Sequence, residues 1–176
     1  MRNILGILFL LFTWTINAQV KWMTMQEVKT AMEKEPRKVL MDVYADWCGP
    51  CKLMDKNTYG DSEISKYINE NFYAVKFNAE GNDKFEFKDR EFSNPNYVEG
   101  KVGARHEFAQ YLAIYSYPST VFFDENFEPI TNLRGYFDAQ EFKPYLILFA
   151  TKAYEKIKSQ ADWERFQKKI KPEVEN

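Results

Sequence analysis

Two cysteines and one histidine are all the thiol and imidazole ligands in this chain of 176 residues. A structural zinc site takes four ligands, and the cysteine pair with His106 does not reach that number. Charge of one sign is lacking as well. The 24 lysines and arginines are outnumbered by 26 aspartates and glutamates, a net of −2, so no basic field exists to hold nucleic acid. The apolar run Ile4 to Phe12 is too short to span a bilayer. No cysteine stands near Ala18, which closes the lipoprotein route to a membrane anchor. Repeats and low-complexity stretches are absent too. What remains, 45% apolar and 17% aromatic, is enough for one well-packed domain and leaves no comfortable room for a second.

Residues 1–18 run from Arg2 through the apolar stretch to Thr13-Trp14-Thr15-Ile16-Asn17-Ala18, the order of a secretory signal peptide. Ala18 is a small residue suited to cleavage before Gln19, although Ile16 is larger than the usual residue two positions earlier. Retention as an uncleaved anchor is the alternative. The mature protein is expected to be exported, periplasmic or otherwise extracytoplasmic.

The two cysteines stand three apart in Tyr44-Ala45-Asp46-Trp47-Cys48-Gly49-Pro50-Cys51-Lys52, behind the apolar run Val39 to Ala45. A Cys-x-x-Cys pair where a strand enters a helix puts the first sulfur at the helix N-terminus and the second one turn deeper. Unpaired N–H groups and the helix dipole favour thiolate at Cys48 and make it the more easily attacked sulfur. Pro50 falls in the first turn, where its missing N–H costs nothing. A structural disulfide is the bland alternative.

At these residues the chain resembles the thioredoxin superfamily, whose motif Trp-Cys-Gly-Pro-Cys-Lys stands complete at residues 47–52. Val39 to Ala45 looks like the family's central strand, with Asp42 at its buried aspartate, and Val75 to Asn78 like the next parallel strand, with Lys76 facing that aspartate. Tyr117-Pro118-Ser119-Thr120 is similar to the cis-proline segment, and Gly135 to a glycine on the substrate-binding face. The resemblance covers roughly residues 20–150. It implies a thioredoxin fold: an α/β domain with a central mixed sheet flanked by helices. Trp47, Gly49, Pro50, Tyr117 and Gly135 would form the face that accepts a partner polypeptide beside Pro118. Two departures stand out: no kinking proline in Lys52-Leu53-Met54-Asp55-Lys56, and Tyr117 in place of a smaller aliphatic residue. The run to Thr58-Tyr59-Gly60-Asp61 looks closer to the thioredoxin-like C-terminal domains of membrane thiol:disulfide interchange proteins.

Along the mature chain, Val20 to Met23 reads as a short strand and Thr24-x-x-Glu27 as a capping box that opens a helix ending before Pro36. The helix after Cys48 should end near Tyr59-Gly60, and a second should cover Ser62 to Asn71. Phe72 to Asn78 alternates as a strand does. A charged and aromatic insertion follows at about 79–103, expected beside the active site and selective for clients because parallel strands release the chain at one sheet edge. Ala104 to Tyr115 reads as a helix with His106 as a surface or capping residue. Ser119 to Asp124 and Pro129 to Arg134 read as an antiparallel pair. Asp138-x-x-Glu141 opens a helix that Pro144 should disturb, Tyr145 to Lys158 is helical in pattern, and Ser159-x-x-Asp162 opens the last helix through Ile170. The expected division is therefore a signal segment at 1–18, a thioredoxin-like domain at 19–150, and a helical extension at 151–176 packed on it through Trp163, Phe166 and Ile170.

The chemistry expected is thiol–disulfide exchange, with Cys48 attacking and Cys51 resolving. Asp42, desolvated in an apolar strand, would take the proton from Cys51, and pairing with Lys76 alone is its structural alternative. The expected function is an exported oxidoreductase that reduces client-protein disulfides without a bound cofactor or metal. It would be recharged by a membrane electron donor of the thiol:disulfide interchange type and act as a monomer. An oxidant or isomerase of the same fold, or a non-catalytic client-binding protein, are the alternatives.

Overall fold

The computed structural model describes residues 19–174; the signal segment expected at 1–18 lies outside them. Strand β1 (Trp22–Met23) leads into helix α1 (Met25–Lys34), whose N-terminus carries the Thr24/Glu27 capping box. Strand β2 (Val39–Tyr44) is followed by α2 (Gly49–Met54), α3 (Ser62–Asn71) and β3 (Tyr73–Asn78). The sheet closes with β6 (Ser119–Phe123) and β7 (Pro129–Arg134) in the order β1-β3-β2-β6-β7. β1 and β2 both pair parallel with β3, while β6 runs antiparallel to β2 and β7 to β6. β2 is central because its residues are apolar on both faces: Val39, Met41 and Val43 enter one core, Leu40 the other.

Period-2 alternation decides which layer each side chain meets. The Met41 face is covered by α1 and by α4 (Glu107–Tyr111), through Val28 and Phe108. The Leu40 face is covered by Met54 of α2, Ile64 and Ile68 of α3, and Phe142, Leu146 and Phe149 of α5 (Ala139–Ala150). Asp42 stands two residues beyond Leu40 and so faces the layer that holds α2.

The insertion contains an antiparallel hairpin, β4 (Phe85–Phe87) and β5 (Arg90–Phe92), with Lys88 and Asp89 at positive φ in its turn. Phe85, Phe87 and Phe92 pack with Phe77, Phe108 and Phe127 on the Met41 face, so this segment extends a core rather than hanging from one. The α6 helix (Gln160–Val174) buries Ile170 and stacks Trp163 on Tyr145 of α5.

Three elements differ from the sequence expectation. The helix expected over Ala104 to Tyr115 is only α4, because Gly103 and Ala113 adopt positive φ on either side of it. His106, fully buried, is its N-cap, and its Nδ1 accepts from the Phe108 N–H at 3.0 Å. Pro144 does not interrupt α5: a prolyl break costs about 3 kcal/mol, whereas each large apolar side chain buried around it contributes roughly 1.5 to 3 kcal/mol. The helix instead stops at Thr151, where Lys152 turns left-handed and a short 3₁₀ turn, Ala153–Lys156, replaces the expected helical run.

Candidate active site

Both cysteines sit where β2 hands the chain to α2. Cys48 is the N-cap residue and Cys51 lies in the first turn, and the two are joined as a disulfide with Cα atoms 5.3 Å apart. The Cys51 N–H donates to Cys48 Sγ at 3.2 Å. That contact supports negative charge on Cys48 once the bond is reduced. Gly49 and Pro50 are exposed in the turn between them.

Helix α2 passes at Asp55 into a π turn, Asp55–Tyr59, in the stretch that lacks a kinking proline. The wider turn sends Tyr59 into the core, where its hydroxyl meets Thr120 Oγ1 at 3.1 Å, and swings Asp55 toward Lys76. Gly60 closes it because a Cβ there would stand 2.5 Å from the Lys56 carbonyl oxygen.

Asp42 is 2% exposed, and its Oδ1 has no hydrogen-bond partner. Its register partners are Lys76 on β3 and Thr120 on β6. Lys76 Nζ lies 3.7 Å from Asp42 Oδ2, makes a shorter ion pair with Asp55, and sits over the rings of Trp22 and Tyr44, each 5.2 Å away. Desolvation raises the Asp42 carboxyl to about 7; the Lys76 cation opposes the rise and the Asp55 charge adds to it. Such a carboxyl changes protonation at neutral pH, as a proton acceptor must.

The Tyr117–Pro118 peptide is cis. The Pro118 carbonyl accepts from the Gly135 N–H at 2.9 Å, which ties Gly135 to this segment, and Gly135 holds φ +96°, a conformation that favours glycine. Around the Cys48–Cys51 pair the structure places Trp47, Gly49 and Pro50 in the same turn and Tyr117, next to cis Pro118, on the cysteine cluster; Asp42 and Lys76 face each other on the neighbouring strands, and Gly135 is tied to Pro118. Among the described residues no group of acidic, histidine or cysteine side chains could hold a metal.

Both cysteines of the oxidised pair are buried. Cys48 is only 1% exposed against 4% for Cys51, although it opens a surface turn. Tyr44 and Tyr117 pack on the cluster of Ala45, Cys48 and Cys51, and the larger ring at position 117 covers what a smaller aliphatic side chain would leave open. Sequence reasoning also missed Asp55 and Glu80. Asp55 is one helical turn beyond Cys51, a spacing legible in the sequence, whereas Glu80 reaches Trp47 only through the turn after β3.

A family model of the thioredoxin-like domain matches residues 25–150, and the chain belongs to that family. The thiol:disulfide interchange protein DsbD of Pectobacterium atrosepticum is 25% identical over 130 residues, covering 70% of this chain and 18% of that protein. DsbD of Escherichia coli K12 is 25% identical over 126 residues, covering 70% and 19% respectively. The chain therefore spans under a fifth of the length of these relatives. A thioredoxin-fold protein from Helicobacter pylori superposes with a TM-score of 0.56 at 25% identity, over 80% of this chain and 83% of that one. A thioredoxin from Thermus thermophilus gives 0.57 at 18% identity, over 76% and 89%, a likeness of fold.

Proposed function

We propose that this protein is an exported thiol:disulfide oxidoreductase that reduces disulfides in client proteins. The observation that carries the proposal is the joined Cys48–Cys51 pair at the start of α2, packed against Tyr117 beside a cis proline, with a buried carboxyl poised near 7 on the strand that leads into it.

In the reduced protein the Cys48 thiolate attacks a client disulfide, forming a mixed disulfide and releasing one client thiolate. Cys51, losing its proton to Asp42, then attacks Cys48 Sγ, which frees the second client thiolate and re-forms the Cys48–Cys51 bond. Two electrons pass to the client. Lys76 offsets the charge that Asp42 gains. Trp47, Gly49, Pro50, Tyr117 and Gly135 form the face that receives the client, and Pro118 shapes the loop beneath it. A membrane electron donor of the interchange type recharges the pair; the names of the DsbD relatives support a partner of that kind. No cofactor is required, and the unit acts as a monomer.

Export rests on the signal-like order of residues 1–18, with cleavage near Ala18. Among the described residues no helix is long and apolar enough to cross a membrane. N-terminal sequencing of the exported product tests the cleavage.

Function is tested by insulin reduction with wild-type protein and by the potential of the pair. The Gly-Pro spacing favours a value near −270 mV, the thioredoxin range, and a value above about −180 mV would overturn the reductive direction.

A further inference from the structure

Glu80, the second residue of the insertion, has no part in the chemistry just described. Its Oε2 accepts from Trp47 Nε1 at 2.9 Å and from the Gly103 N–H at 2.6 Å. One oxygen therefore ties the loop before α2 to both ends of the insertion. The same carboxylate faces the Tyr117 hydroxyl. Burial first, and then the Glu80 charge, push that phenol up to about 12. The Trp47 and Tyr117 rings meet edge to face with centroids 5.9 Å apart, and Tyr117 lies on the cysteine cluster. Trp47 itself remains 56% exposed, while Cys48, in the cluster that Tyr117 packs on, is 1% exposed.

We propose that Glu80 is a positioning residue that pins the Trp47–Tyr117 pair as a cover over the oxidised cysteines, so that reductants must lift the cover before they reach Cys48 Sγ. This rests on reading the pair as redox-active. The reducing step itself balances simply. A thiolate bonds to Cys48 Sγ, the Cys48–Cys51 bond breaks, and Cys51 departs as a thiolate that takes up a proton. The second thiol of the reductant then attacks its own sulfur in the mixed disulfide, leaving the reductant oxidised by two electrons and both cysteines reduced. A small dithiol makes no contact that replaces the Glu80 bonds. A protein partner that engages the exposed indole does, and for it the cover opens at less cost. The cover is thus a device of partner selection at the recharging step.

The test is stopped-flow reduction of the oxidised full mature chain by dithiothreitol, in Glu80→Ala and Glu80→Gln. Glutamine keeps an oxygen that accepts from both N–H groups, whereas alanine removes it. Glu80→Ala is expected to raise the second-order rate about tenfold or more, the scale of one hydrogen bond to a charged acceptor. Glu80→Gln, which keeps the acceptor but loses its charge, should fall clearly between wild type and Glu80→Ala on the same reasoning. In ¹⁵N spectra the Trp47 indole N–H resonance should move in Glu80→Ala and hold in Glu80→Gln. Tyr117→Ala, which removes the cover by another route, should accelerate reduction as much, and adding Glu80→Ala to it should change nothing further. An unchanged rate in Glu80→Ala despite a shifted indole resonance would overturn the proposal. Equal acceleration by alanine and glutamine would do the same, assigning the effect to charge. Insulin turnover is scored separately: its absence in wild type would sink the functional reading and leave the dithiothreitol result standing.

Discussion

Replacing Asp42 with asparagine should stabilise the oxidised protein, by an amount that grows with pH. The group is 2% exposed, and its carboxyl moves from 3.8 to about 7, chiefly through desolvation. At about 1.36 kcal/mol per tenfold change in proton affinity, that move costs the folded state roughly 4 kcal/mol once both states are ionised. The sign follows from the direction of the move. Below pH ~3.8 the carboxyl is protonated folded and unfolded, so it contributes no pH-dependent difference. Between ~4 and ~7 the unfolded chain ionises first, and stability falls until the folded group ionises as well. Asparagine has nearly the same volume and no charge at any pH. The attraction of Lys76, 3.7 Å away, is already contained in the net rise to about 7, and Lys76 keeps Asp55 when Asp42 loses its charge. The expected stabilisation is therefore roughly 4 kcal/mol above pH ~7.5, shrinking toward a constant offset below pH ~4. Denaturant unfolding of oxidised wild type and Asp42→Asn at closely spaced pH values measures it, with the m-value checked for constancy. A difference that does not vary between pH 4 and 8, or that narrows as pH rises, would refute the reasoning.

The other expectations are more direct. Asp42→Asn should slow resolution of a Cys48-linked mixed disulfide by roughly a hundredfold near neutral pH, the low end of what a positioned acid–base group contributes. Single-turnover release of a labelled client peptide reads that rate. Cys51→Ser should accumulate mixed disulfides with clients and Cys48→Ser none, as judged on non-reducing gels; equal trapping would reverse the roles. Asp55→Asn should bring the Asp42 carboxyl below about 7, because it removes a charge that raises it and frees Lys76 to approach; ¹³C-carboxyl titration by NMR locates the midpoint. Gly135→Ala should cost about 1 to 3 kcal/mol in thermal or denaturant unfolding, from conformation alone, since nothing lies within 4 Å of the added Cβ. Replacing the exposed Lys84, Glu86, Arg90 and Glu91 with serine, which spares the buried phenylalanines and Asn94, should change which natural clients are processed while leaving a small synthetic disulfide unaffected; unchanged proportions would remove selectivity from the insertion.

The sheet was legible because its strands carry strong patterns. The uniformly apolar run ending at Tyr44 foretold a central strand, and the capping boxes at Thr24 and Asp138 marked helix starts that the structure retains. The residues gathered at the disulfide were legible through the motif at 47–52 and the Tyr-Pro step. What sequence could not yield was decided by backbone conformation. Ala113 and Lys152, neither a glycine, turn left-handed and cut short two expected helices. Pro144 erred in the opposite direction, because burial on either side of it outweighs one lost hydrogen bond. The hairpin inside the insertion escaped notice because Lys88-Asp89 is not a glycine-containing turn. Accessibility of Cys48 was the least legible feature of all, since it depends on one ring delivered from 69 positions away in the chain.

The insertion joins these observations, because its middle and its ends do different things. The middle is anchored: Phe85 stacks on buried His106 at 5.4 Å, and His106 Nε2 lies 2.8 Å from the Asp83 carbonyl oxygen. Asn94 donates to the carbonyls of Gly81 and Ala104, tying both sides of the loop together at its neck. That neck is where Glu80 and Gly103 emerge beside Trp47. Were the insertion a loose loop, ordering Glu80 against Trp47 would cost backbone entropy of about 1 to 2 kcal/mol for each residue fixed. Here the aromatic core has already fixed them, so the hydrogen bonds to Trp47 and Gly103 count almost fully toward holding the cover. Cutting the neck rather than the tip is thus the more sensitive perturbation. Asn94→Ala should loosen the cover and speed reduction of the oxidised pair by dithiothreitol in the same direction as Glu80→Ala, although Asn94 touches neither cysteine. A rate equal to wild type in a folded Asn94→Ala protein would show that the anchoring of the insertion has no bearing on access to Cys48.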